Sequence, residues 1–224
     1  MKRGTWFWVT LSALASLALF FVLFRPALGL LFNAAFEYRT LHDTSLNTSL
    51  RGSSPVIAEL EHELGRSRDS GVMALARIAA RVTARRLHYC QPVAPGVDLG
   101  DPNSVVRYKA VNCQGYSVLF AAAFNYLLRQ TGHSRDYDVR VATGRQALLG
   151  WEFQRVQPFQ RVFPSHVYNV ICLRSDGVER VEYLVDSNLY DYTGILFVRG
   201  RQGQQVRRRA PRDKHTPVGG RRDG

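Results

Sequence analysis

Asn112-Cys113-Gln114-Gly115-Tyr116-Ser117-Val118-Leu119-Phe120-Ala121-Ala122-Ala123-Phe124-Asn125-Tyr126-Leu127-Leu128-Arg129-Gln130 is the stretch whose character decides the fold. From Tyr116 to Leu128 only Ser117 and Asn125 interrupt an apolar surface that runs all the way round, so a helix over this stretch belongs at the centre of a domain. Asn112 is a good N-cap and Gly132 a good stop. Cys113 therefore falls in the first turn. There the free N–H groups and the partial positive charge of the helix end stabilise a thiolate and lower its pKa below about 8.5. The same N–H groups can hold an oxyanion once the thiolate attacks a carbonyl. By itself, a cysteine at a helix start is also an ordinary small buried side chain.

Upstream of this helix, Pro55 to Gly65 reads as a short helix and Ser70 to Leu87 as a longer one. Val72, Leu75, Ile78, Ala79 and Val82 form the core-facing stripe of the second. Arg77, Arg81 and Arg85 follow one another at a spacing of four on its other side. Such a row suits phosphate, but an exposed face of a surface helix explains it as well. Gln91 to Asn103, with three prolines and two glycines, is a loop. Downstream the pattern changes to strands: Tyr137–Ala142, His166–Leu173, Glu179–Asp186 and Ile195–Val198. Ser175-Asp176-Gly177 turns the middle two into an antiparallel hairpin. Helices followed by an antiparallel sheet make an α+β domain, placed at residues 55–200.

Two polar residues stand out on that hairpin. His166 opens one strand, and by the period of two it shares a face with Tyr168, Val170 and Cys172. If that face packs on the central helix, the imidazole reaches the thiol and Cys172 is a buried core residue. Asp186 closes the next strand, where a carboxylate is placed to hold an imidazole in one tautomer. A histidine on a strand and an aspartate before Ser187-Asn188 each have plain structural explanations, as a core residue and as a turn former. Together with Cys113 they make a candidate catalytic triad, because the hairpin brings His166 and Asp186 to the same end of the sheet.

The sequence also resembles a known family. Asn112-Cys113-Gln114-Gly115-Tyr116-Ser117, its apolar helix and Val139-Arg140-Val141-Ala142-Thr143-Gly144 are similar to the cysteine block and the following strand of transglutaminase-like proteins. His166-Val167-Tyr168-Asn169 and Leu184-Val185-Asp186-Ser187 look like that family's histidine and aspartate blocks, with spacings of 53 and 20 residues between the three. The resemblance covers about Val72 to Val198. It implies a papain-like fold, a Cys113–His166–Asp186 triad, a thioester intermediate, and a peptide or protein substrate in a bacterial-type membrane-anchored enzyme. Asn112 stands where the family has a small residue, Tyr168 where it has tryptophan, and the loop Gln146–Pro164 is long. Arg107 and Tyr108 lie upstream of the cysteine, but neither is a glutamine, and the side chain that completes an oxyanion hole stays open. The alternative is a catalytically silent module of the same fold that binds or scaffolds at the membrane.

Thr5 to Phe24 holds twenty residues without a charge, about 30 Å as a helix, between Lys2-Arg3 and Arg25-Pro26. It is longer than a secretory apolar core and no clean small-residue cleavage site follows it, so residues 1–25 are expected to form a retained signal anchor. The leading charges favour an outer, periplasmic or extracytoplasmic position for the rest. Residues 26–54 are expected to be a juxtamembrane segment and linker, with a glycosylation sequon at Asn47-Thr48-Ser49. The net charge of +12 owes half its excess to residues 201–224, which hold eight Lys/Arg against two Asp and read as a disordered tail. With no zinc-finger spacing or RNA-binding aromatic signature, nucleic acid is not an expected partner. Three cysteines, none at CxxC spacing, exclude a disulfide scaffold and leave at least one free thiol. No cofactor or metal is expected.

Overall fold

The computed structural model describes residues 35–44, 49–149, 151–152, 165–175 and 178–200, together with residues 12 and 16. Apart from those two positions the expected anchor lies outside the described residues, as do the tail, Asn47 and Thr48 of the sequon, Asp176-Gly177 of the expected turn and most of the loop before Pro164. Among the described residues no helix is long and apolar enough to cross a membrane.

The chain is α+β. In order it runs β1 (Phe36–Thr44), α1 (Pro55–Arg66), α2 (Val72–Arg86), β2 (His88–Tyr89), α3 (Pro102–Tyr108), β3 (Ala110–Val111), α4 (Cys113–Gln130), a 3₁₀ turn (His133–Arg135), β4 (Tyr137–Leu148), β5 (Trp151–Glu152), β6 (His166–Ser175), β7 (Val178–Val185), α5 (Ser187–Thr193) and β8 (Phe197–Val198). The main sheet has the order β1-β4-β6-β7-β8, antiparallel throughout, with β5 folding back on the end of β4. β2 and β3 form a separate parallel pair.

The helix α4 is the centre of the molecule, as its composition requires. Every residue from Gly115 to Phe124 is buried. It packs with the apolar stripe of α2, with Val56 and Leu60 of α1, and with Val139, Val141 and Ile171 of the sheet in one core. Asn112 caps it, accepting the Gln114 N–H at 3.0 Å. Gly115 has a packing reason to lack a side chain, because a Cβ there would stand 2.6 Å from Val111 Cβ. Two arginines of the α2 row are engaged by α1 and the third by β8. Arg81 meets Glu63 at 3.3 Å, Arg85 meets Glu59 and Glu63 at 3.1 and 2.9 Å, and Arg77 lies over the Phe197 ring. These exposed pairs contribute little each, on the order of 0–1 kcal/mol, but they satisfy the row without a phosphate.

Two features differ from the sequence reading. Residues 36–44, expected to lie within the juxtamembrane segment and linker of residues 26–54, form β1 and pair along β4 from Phe36↔Leu148 to Thr44↔Val141. β4 is correspondingly longer than the six residues expected of it. The sheet then curls until its two ends meet. The Tyr38 N–H donates to Arg199 O at 2.9 Å and Tyr38 bridges Gly200, so the first strand touches the chain just past the last. The face of β6 carrying Tyr168, Val170 and Cys172 does not pack on α4. Those residues lie in a second, smaller core with Tyr38, Ala142, Leu184 and Val198, within the curl. It is the alternate set, Val167 and Ile171, that packs against the helix core. Periodicity assigns residues to a common face, but a curled sheet has two apolar faces and the pattern does not say which one meets the helix.

Candidate functional site

Three elements converge at one end of the sheet: the first turn of α4, the first residue of β6 and the residue that follows β7. They carry Cys113, His166 and Asp186. His166 Nε2 lies 2.7 Å from Asp186 Oδ2. Since a carboxylate only accepts, Nε2 holds the proton of that bond, and the other ring nitrogen is left for the thiol. Cys113 lies within electrostatic reach of His166 and of the Val167 N–H, both of which act to lower its thiol. His166 reaches the thiol although the face of its strand packs away from α4, because it stands at the strand's end, level with the helix N-terminus.

The position of α4 against β6 is set by a pair of bonds. Ser117 Oγ donates to Val167 O at 3.0 Å, and the buried Asn169 donates through Nδ2 to Ser117 O at 2.9 Å. Each strand residue in this clamp lies within three positions of His166, and Ser117 lies one turn along from Cys113. The separation of thiol and imidazole is therefore fixed by the backbone. Asp186 is fixed as firmly. It is 1% exposed, its Oδ1 accepts the Leu189 N–H at 2.9 Å as the N-cap of α5, and its Oδ2 faces His166. The turn expected at Ser187-Asn188 is thus a short helix that Asp186 begins.

A fourth residue was not legible in the sequence. Tyr38, wholly buried, donates its hydroxyl to Asp186 Oδ2 at 2.7 Å and accepts from Gln146 Nε2 at 3.0 Å. Its ring meets Tyr168 edge-on at 5.1 Å, and Tyr168 stacks beside His166. Gly144 makes room for this group: a Cβ there would collide with Arg39 O and stand 2.6 Å from the Tyr168 hydroxyl.

The electrostatics follow from these contacts. Burial alone would raise the Cys113 thiol, but the bond to His166, its charge and the Val167 N–H outweigh this and hold it below its ordinary value. Burial would lower His166, yet the charge of Asp186, the bond to it and the neighbouring sulfur push it up to about 10. Burial would raise Asp186. The charge and hydrogen bond of His166, the Leu189 N–H and the Tyr38 hydroxyl hold it below the usual carboxylate value instead. Tyr38 is driven well above its ordinary pKa, first by burial and then by the charge of Asp186, so it stays a donor. The directions at Cys113, His166 and Asp186 together favour a thiolate beside an imidazolium.

No protein-family model matches the chain, and no curated protein matches it.

At the rim, Tyr89 of β2 stands within electrostatic reach of Cys113 and pairs edge-on with Tyr192 of α5, ring centres 6.4 Å apart. Both are partly exposed. Arg107 and Tyr108 close α3, with Tyr108 turned largely to solvent. Cys172 is buried in the second core and Cys90 donates to Pro92 O at 3.4 Å. All three cysteines are free. Among the described residues no three His, Cys, Asp or Glu side chains gather as a metal site.

Proposed function

We propose that the chain is a membrane-anchored acyl-transfer enzyme of the transglutaminase-like, papain-related kind, with Cys113 as nucleophile, His166 as acid–base and Asp186 as the group that orients His166. The observation that carries this reading is the continuous Cys113–His166–Asp186 line, with Nε2 committed to the carboxylate at 2.7 Å and the thiol lowered by the imidazole. The Cys113 thiolate attacks the carbonyl carbon of an amide or ester in a peptide or protein. The C–S bond forms, and the tetrahedral oxyanion faces the N–H groups at the start of α4. As the intermediate collapses, the C–N or C–O bond breaks and the imidazolium of His166 passes its proton to the leaving group. Water or an amine, deprotonated by His166, then attacks the thioester and releases the thiol. Water gives hydrolysis and an amine gives transamidation.

The test is acylation of the full-length protein in detergent with an activated peptide ester, followed by mass spectrometry. The expected result is one acyl group, on Cys113, absent from Cys113→Ala and slowed in His166→Ala. Acylation of Cys90 in preference to Cys113, or none in the folded wild type, would overturn the proposal.

A further inference from the structure

The hairpin between β4 and β5 ends in two side chains that the fold has no use for. Leu149 is 77% exposed and Trp151 79%, the two most exposed large apolar residues of the described chain. Leu149 also has φ +49°, in the left-handed region that favours glycine, although Gly150 follows immediately. A leucine held there takes on backbone strain and gains no burial for it. The hairpin is held in place all the same. Glu152 of β5 takes Arg39 of β1 at 2.5 Å and Arg145 of β4 at 3.2 Å, so the tip is presented by paired strands.

Its location says what covers it. The Leu149 N–H donates to Ala35 O at 2.6 Å, so the tip lies directly beside the point where the chain enters β1. From Pro26 to Phe36 that entering chain carries no charged side chain, and before it comes the twenty-residue run Thr5–Phe24. With Thr5–Phe24 spanning a bilayer, Arg25 stands at its edge, and the uncharged segment Pro26–Ala35 that follows joins that edge to the first strand. A tryptophan and a leucine beside it suit the boundary between headgroups and acyl chains.

We propose that the β4–β5 tip docks on the lipid surface, with Leu149 and Trp151 inserted at the level of the headgroups beside the start of β1. This rests on the reading of Thr5–Phe24 as a spanning anchor. It gives the domain one orientation. Gly144, which pairs with His166, is five residues down β4 from Leu149, so the thiol end of the sheet stands roughly 17 Å from the tip along the strand. The substrate class that fits is a peptide carbonyl held close above a bilayer, as in the membrane-proximal stalk of another anchored protein.

Tryptophan fluorescence decides it, because the chain has three tryptophans and two lie in the apolar run. The full-length Trp6→Phe/Trp8→Phe variant leaves Trp151 alone, and Trp151→Phe leaves the other two. Both are reconstituted in phosphatidylcholine vesicles whose acyl chains are brominated either next to the headgroups or near the chain ends. Trp151 is expected to lose fluorescence to the shallow bromines and little to the deep ones, and Leu149→Asp should weaken that loss. If Trp6 and Trp8 are quenched and Trp151 is not, the anchor stands and the docking falls. If Trp6 and Trp8 are also unquenched, the anchor reading itself is wrong and the docking goes with it. Blue-shifted Trp151 emission that bromine does not touch would mean a protein surface, such as a second copy, covers the tip, and this too overturns the proposal.

Discussion

Tyr38 and His166 meet on the same oxygen of one carboxylate, each 2.7 Å from Asp186 Oδ2. The other oxygen caps α5. Tyr38→Phe removes one donor from a buried anion and should cost about 1–3 kcal/mol at neutral pH. Asp186 is held below its ordinary pKa, so its contribution is present above the unfolded carboxylate value and disappears as pH falls through the depressed one. The stability gap between wild type and variant should therefore be full above about pH 4 and shrink on acidification. Urea denaturation at several pH values measures it. A gap that does not change with pH would mean that Tyr38 only fills space.

The thiol and the imidazole set opposite limits on activity. Cys113 is lowered and His166 is raised to about 10. The acid limb should lie below the ordinary thiol range, where the thiolate takes up a proton. The alkaline limb should lie near 10, where the imidazolium loses the proton that the leaving group needs. A single rise near the ordinary thiol value in the pH dependence of acylation would mean that the pair is not formed.

His166→Ala should bring the pH midpoint of Cys113 alkylation up toward about 8.5 and remove nearly all activity. Asp186→Asn offers an amide of the same shape that can present its N–H wrongly. The corresponding change in a serine protease costs about 10⁴ in turnover. A preformed thiolate needs less help, so the loss here should be smaller. Iodoacetamide kinetics on both variants give the comparison. Equal profiles for the two variants, or no change in either, would remove His166 and Asp186 from the activation of Cys113.

Two glycines should respond in opposite directions to alanine. At Gly144 a methyl group meets the Arg39 backbone oxygen, which cannot move without parting β1 from β4, and a loss of about 1–3 kcal/mol is expected. Gly65 lies in α1 with nothing within 4 Å of an added Cβ, and Gly65→Ala should stabilise by about 0.5–1 kcal/mol. Thermal denaturation of the two variants checks both signs.

A chain ending at Gly200 should keep its thiol reactivity, since residues 199 and 200 carry the contact with Tyr38. Ending it at Val198 removes that contact and should lower both stability and Cys113 reactivity. Equal reactivity of the two truncations would show that joining the sheet's ends does not matter to the site.

The sequence was most informative where a local pattern carried the physics. Helix α4 is apolar all round, capped by Asn112 and stopped by Gly132, and β6 and β7 follow one another as a hairpin. Strand β1 was hidden for a definite reason. Phe36-Glu37-Tyr38-Arg39 does alternate apolar and charged side chains, but the alternation is only four residues long, its neighbours are an apolar run and a Ser/Thr-rich stretch, and its partners lie about a hundred residues away. Tyr38 finds Asp186 across 148 positions, and no spacing rule reaches that far. The roles of Gly115 and Gly144 depend likewise on which backbone passes close to them.

The contact between Tyr38 and Arg199 also sets an order of events during synthesis. β1 is among the first structured segments to leave the ribosome, yet it has nothing to pair with until β4 has been made, and it cannot reach the far edge of the sheet until residue 199 has appeared. Contacts this distant along the chain form late. Cys113 is translated midway, with neither its base nor that base's carboxylate yet in existence. While the nascent chain is still emerging, the Cys113 thiol lacks the imidazole that holds it below its ordinary pKa. The reactive centre is assembled only when almost the whole chain has been delivered.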